Sequence, residues 1–182
     1  TAISKENLLR ENIDPGKIFI TGNTVIDALV KTVNSGYRFS DDSLHSILNS
    51  GGRLILVTTH RRENLGAPMR QVYQALKEVI ITHPDVKAIF PVHKNPKVRE
   101  IVEQELGHLD RLHLIEPLDY EPFANLMAKV DIVLTDSGGI QEEAPALGKP
   151  VLVLRDTTER PEAVEAGIVN LIGTAFEDVL QE

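Results

Sequence analysis

Short, continuous apolar runs alternate along this chain with stretches whose apolar positions fall three and four residues apart. The runs are Ile18-Phe19-Ile20, Leu54 to Thr59, Lys87 to Val92, Leu112 to Ile115, Ile132 to Leu134, Val151 to Leu154 and Ile168 to Ile172. Predominantly apolar rather than alternating, they read as strands covered on both faces. Met69, Val72, Tyr73, Leu76, Val79 and Ile80 keep to one helical face. Further helices are predicted over residues 24–33, 42–49, 95–106, 120–129, 140–147 and 161–166, and helical patterns open and close the chain. Pro96 suits a first-turn position. Strand and helix in alternation predict an α/β fold with a doubly wound, Rossmann-like parallel sheet. Such sheets bind ligands beyond the carboxyl ends of their strands.

That rule selects candidate residues. The strand ends are followed by His60-Arg61-Arg62-Glu63-Asn64, His93-Lys94-Asn95-Pro96, Glu116 to Tyr120, Asp136-Ser137-Gly138-Gly139 and Arg155 to Pro161. In the fourth of these an apolar strand feeds a glycine turn and then a helix start. Free N–H groups there, with the helix dipole, make an anion site, most often for phosphate. The glycines keep Cβ atoms out of its way. Of the two acids that follow, Glu142 reads as a complement to the helix dipole and Glu143 as an acceptor for ribose hydroxyls. Together the loops suit a diphosphate joined to a ribose and a sugar. His60 and His93 have no third ligand at a suitable spacing, so no metal is expected.

Composition narrows the classes. The 182 residues are 42% hydrophobic and 25% charged, enough for one domain with a sizeable core. A net charge of -8 argues against a nucleic-acid partner, which needs a basic footprint. No cysteine is present, so disulfides and thiolate zinc sites are excluded. No apolar run reaches membrane-spanning length and no signal peptide is visible, so a cytoplasmic protein is expected. The chain opens on Thr1 and both ends fall in helical patterns, so a domain of a longer protein is expected.

Five stretches, in order, carry a resemblance. Gly22-Asn23-Thr24-Val25-Ile26-Asp27-Ala28, Thr59 to Asn64, Pro91 to Pro96, Asp136 to Pro145 and Arg155 to Glu162 closely resemble the non-hydrolysing UDP-N-acetylglucosamine 2-epimerases. The resemblance spans nearly the whole chain. It implies a GT-B architecture of two Rossmann-like domains, of which this chain is the carboxyl-terminal, UDP-binding half. The family interconverts UDP-N-acetylglucosamine and UDP-N-acetylmannosamine for surface polysaccharides. Carried over, His93, Ser137, Gly138, Gly139 and Arg160 hold the UDP phosphates and nearby groups, Glu143 binds the ribose, Phe123 lies by the uracil, and His60 is catalytic. The implied route is anti elimination of UDP to a glycal, then re-addition after protonation of the other face of C2. It needs no nicotinamide, cofactor or metal. The family's amino-terminal domain, with its acidic catalytic residues, and its terminal helical tail are absent. The chain alone is therefore expected to be inactive, and the full-length form to be a homodimer. Three other readings are a GT-B glycosyltransferase, a non-catalytic UDP-binding module and a hydrolysing epimerase. Their products would separate them: a glycosylated acceptor, unchanged sugar nucleotide, or free N-acetylmannosamine with UDP.

Overall fold

The computed structural model describes residues 1–159, 163–164 and 167–182. Its centre is a six-stranded sheet in the order β3-β2-β1-β4-β5-β6, formed by β1 (Arg53–Thr58), β2 (Val86–Pro91), β3 (Leu112–Ile115), β4 (Ile132–Thr135), β5 (Val151–Val153) and β6 (Val169–Leu171). Every neighbouring pair is parallel. The expected doubly wound sheet is therefore present. The strand order reverses between β1 and β4, where Thr58 lies opposite Thr135. In this class that reversal is where ligands bind.

Eight α-helices accompany the sheet among the described residues: α1 (Ala2–Arg10), α2 (Val25–Thr32), α3 (Asp42–Asn49), α4 (Ala67–Thr82), α5 (Pro96–Leu106), α6 (Tyr120–Lys129), α7 (Ile140–Ala146) and α8 (Phe176–Gln181). Side-chain caps begin several of them. Asp41 accepts from Ser43 N at 2.8 Å and Asn95 from Lys97 N at 3.0 Å, each satisfying a first-turn donor. Helix α4 packs against α5 and α8, while α2 packs against α6 and α7. Two cores result. One joins Tyr73, Leu76, Phe90 and Leu106, and the other joins Leu29, Leu56, Leu126 and Val133. Each such large side chain contributes about 1.5–3 kcal/mol on burial. Gly52 illustrates a packing constraint at the sheet's entry. Its φ is +85°, and a Cβ there would overlap the Asp85 carbonyl oxygen.

Two expectations need comment. Ile18-Phe19-Ile20 is not a strand. It follows a 3-10 turn at Pro15–Lys17 as irregular backbone, with Phe19 79% and Ile20 57% exposed. Three apolar residues make a strand only where a sheet edge can pair with them, and this segment has none beside it. The helix expected over 161–166 lies largely outside the described residues; Ala163 and Val164, the two that are described, are helical. The other boundaries agree to within a residue or two.

Candidate functional site

The site grows from two adjacent strand ends. Thr58 and Thr135 finish β1 and β4, and their buried hydroxyls lie 2.6 Å apart. The Thr135 hydroxyl oxygen also accepts the Ser137 N–H at 3.0 Å. Ser137 N–H is thus already committed inside the protein. The next donors are not: among the described residues, neither Gly138 nor Gly139 N–H has an acceptor. Neither glycine has positive φ, so it is space and not backbone conformation that the missing Cβ serves here. Gly139 is α-helical at φ -65°, ψ -43° and caps α7. Because α7 has seven residues, the free donors matter more to an anion than the dipole does.

Gly138 is glycine for a reason of space. A Cβ on it would overlap Glu159 Oε1 and come within 3.5 Å of the Arg61 guanidinium. The Glu159 carboxylate thus rests against the glycine turn. Arg155 Nη1 donates to it at 2.6 Å, and Arg61 Nη2 lies 3.6 Å away. Burial pushes the Glu159 carboxyl up, but hydrogen bonds and the two arginines hold it below its ordinary value. Two guanidiniums thus converge beside the unpaired N–H groups, and the Glu159 carboxylate is the anion they hold in this structure.

Asp136 is fully buried and ties the two strand ends together. Its carboxylate accepts from His60 N–H at 2.9 and 3.1 Å, Arg61 N–H at 2.9 Å and Asn64 Nδ2 at 3.4 Å. His60 Nδ1 lies 3.1 Å from its Oδ1. The His60 and His93 rings stack with centroids 5.8 Å apart and planes 23° apart. His93, exposed on the loop after β2, accepts Asn95 N–H on Nδ1 at 3.1 Å. The His93 proton therefore sits on Nε2, available to an external acceptor.

Glu143 is 8% exposed, and the Tyr120 hydroxyl donates to it at 3.2 Å. Burial raises the Glu143 carboxyl above its ordinary value. The Tyr120 hydrogen bond acts against that, and the Glu142 charge adds to it. A buried carboxylate with one donor has unused acceptor capacity, which two vicinal hydroxyls could fill. Phe123 is half-buried on α6, three residues from Tyr120 and so on the same face. Glu142, read from sequence as a dipole complement, also accepts Asn23 Nδ2 at 2.6 Å. It thereby fastens the loop before α2 to α7. Arg160 lies outside the described residues. Among the described residues no group of three or more His, Asp or Glu could hold a metal, and no helix is long and apolar enough to cross a membrane.

His60, His93, Ser137, Gly138, Gly139, Glu143 and Phe123 thus all follow the carboxyl ends of β1 to β4. Sequence reading placed Asp136, Tyr120 and Glu159 in the strand-end loops but gave them no role of their own. A signal existed for Asp136: a carboxylate directly ending the run Ile132-Val133-Leu134-Thr135 must be buried and therefore partnered. Tyr120 and Glu159 find their partners only through the folded loops.

A parallel sheet with unpaired turn donors and a buried carboxylate at its point of reversal has the construction of the nucleotide-binding α/β class. The comparisons narrow this. Residues 1–182, the whole chain, match the profile of the family described as UDP-N-acetylglucosamine 2-epimerase. The UDP-N-acetylglucosamine 2-epimerase of Bacillus subtilis strain 168 is 52% identical over 183 residues, covering 100% of this chain and 47% of that protein. The S. aureus MnaA–UDP co-structure matches with TM-score 0.92 and 46% identity, over 100% of this chain and 48% of that one. The UDP-GlcNAc 2-epimerase of Neisseria meningitidis, bound to UDP-GlcNAc, matches with TM-score 0.88 and 44% identity, over 100% and 50% of the two chains. The chain belongs to the UDP-N-acetylglucosamine 2-epimerase family. It spans about half the length of the curated relatives it matches.

Proposed function

We infer that this chain is the UDP-binding half of a non-hydrolysing UDP-N-acetylglucosamine 2-epimerase of GT-B architecture. The observation that carries the reading is the coincidence, at the β1–β4 reversal, of unpaired Gly138 and Gly139 donors with buried Glu143, in a chain matched end to end by the family. In this reading Ser137, Gly138, Gly139, His93 and Arg160 bind the diphosphate. Glu143 accepts the ribose hydroxyls, with Phe123 beside the uracil. His60 faces the diphosphate and the sugar. A base outside these 182 residues removes the C2 proton, and the C1–O electron pair leaves with UDP, giving a glycal. The field of the rim stabilises the departing charge. Protonation of the opposite face of C2 and return of UDP to C1 complete the epimerisation. The facing amino-terminal domain supplies the base, the longer protein is a homodimer, and it works in the cytoplasm.

Calorimetric titration of this chain with UDP and with pyrophosphate tests the reading. Glu143→Gln should weaken UDP by about 1.5–3 kcal/mol, the worth of hydrogen bonds to a charged acceptor, and pyrophosphate hardly at all. Equal weakening of both would remove Glu143 from the ribose. No binding of UDP by the parent chain would defeat the reading as a whole.

A further inference from the structure

Among the described residues, the polar side-chain contacts of Asp136 all run to one loop, residues 60–64 after β1. Two backbone N–H groups and the Asn64 amide would suffice to fix that loop's path. The contact with the His60 ring is additional. We propose that Asp136 is the positioning residue for His60: it holds Nδ1 as N–H, fixes the ring's tautomer and leaves Nε2 to the ligand. The proposal rests on the reading of His60 as the group that meets the diphosphate, and deepens it.

The hydrogen-bond inventory carries the argument. A carboxylate accepting three N–H groups has acceptor sites left and no proton to offer. An unprotonated Nδ1 at 3.1 Å would set a lone pair against that oxygen, whereas a protonated one is attracted to it. The neighbouring ring behaves in the opposite sense, since His93 Nδ1 takes a backbone N–H and its proton sits on Nε2. The stacked pair therefore carries complementary tautomers. At neutral charge His60 Nε2 is an acceptor; as imidazolium it becomes a donor.

The charged and titratable groups facing His60 come from three loops: Arg61 and Glu63 beside it, His93 stacked on it, and Asp136 beneath it. The hydrogen bond to Asp136 raises the His60 pKa most. Burial opposes this, the Asp136 charge adds to it, Arg61 lowers it and Glu63 raises it. A histidine so held can donate Nε2–H to a diphosphate oxygen as charge builds there. A freely turning ring would do so in only a fraction of its states.

Nitrogen-resolved NMR of the His60 ring in this chain tests the proposal. Above the ring's titration midpoint, Nδ1 should carry the proton and Nε2 should be bare. The midpoint itself should lie above that of a free histidine. In Asp136→Asn, with a native amide spectrum, the midpoint should fall by about 1–3 pH units, the usual effect of removing an opposite charge at this range. A purely structural Asp136 would leave the midpoint unmoved. An Nε2–H tautomer in the parent, or an unmoved midpoint in the folded variant, would overturn the proposal. If the variant does not fold, the parent's tautomer and midpoint decide. None of these readings requires UDP, so failure of UDP binding and failure of the Asp136 role are separate results.

Discussion

Replacing Gly138 with alanine should cost the fold little, and the cost should depend on one other side chain. The new Cβ would overlap Glu159 Oε1, with Glu159 Cδ at 3.2 Å and Arg61 Nη2 at 3.5 Å. No backbone atom stands in the way, and Gly138 does not occupy the left-handed region. Relief therefore needs only rotation of the Glu159 carboxylate. That breaks its 2.6 Å contact with Arg155 and its 3.6 Å contact with Arg61. The Glu159 side chain is 43% exposed, and such pairs are worth about 0.2–1 kcal/mol each. Loss of glycine's unfolded-state freedom returns about 0.4–1 kcal/mol. The net lies between a gain of about 0.6 and a cost of about 1.6 kcal/mol, a shift of at most about 0.5–1.6 M in the urea midpoint at the usual slopes. Urea unfolding of a double-mutant cycle supplies the assay. In a Glu159→Ala background the obstruction is gone, and Gly138→Ala should become neutral or slightly stabilising, with a coupling of about 0.4–2 kcal/mol, the worth of the two pairs. A cost above about 3 kcal/mol, the scale of forced repacking in a tight core, would refute the argument. So would the same cost in both backgrounds.

Two further outcomes follow from buried polar groups. Glu143 has a raised pKa in the folded chain because it is buried, so the fold favours its protonated form. Its stabilising effect is full below the ordinary glutamate value and is lost as pH rises through the folded pKa. Glu143→Gln should therefore make the ligand-free chain more stable at neutral pH and flatten the decline above about pH 4.3; a variant less stable than the parent at pH 7 contradicts this. Tyr73, wholly buried and with its hydroxyl pKa pushed up by that burial, shares a 2.6 Å hydrogen bond with the Thr59 hydroxyl. Tyr73→Phe should cost about 1–3 kcal/mol by stranding Thr59. Adding Thr59→Val should recover most of that in chemical denaturation, and no recovery would show that the bond is not the source.

The strands and helices were legible because each buried strand is apolar on both faces. Leu54, Leu56 and Val57 in β1 and Val133 and Leu134 in β4 can only be central. Ile18-Phe19-Ile20 has the same chemistry and a different fate, since burial requires a neighbour that a local pattern does not name. The site divided in the same way. Ser137-Gly138-Gly139 and Glu143 could be read locally, as turn and first helical turn. Tyr120 meets Glu143 across 23 positions and Asp136 meets His60 across 76, so their pairing waited on the strand order. The missing Cβ of Gly138 makes room for a carboxylate, where the sequence suggested room for an anion. The carboxylate it makes room for lies 21 residues further along the chain.

The Thr58–Thr135 junction joins positions 77 apart, and that separation governs how the rim comes into being. During synthesis β1 must wait for α4, β2, α5, β3 and α6 before its second neighbour, β4, emerges. Until then the loop carrying His60 has no Asp136 to close on. Nonlocal parallel pairing of this kind is slow, because loop closure comes before the contacts that reward it. In the function proposed above a nucleotide binds only after that closure, so it would slow unfolding without hastening the search for the fold. Cleavage between α5 and β3 would leave each piece with an unpaired strand edge and half a rim. Neither piece alone would hold the anion, and each would offer an open edge for aggregation.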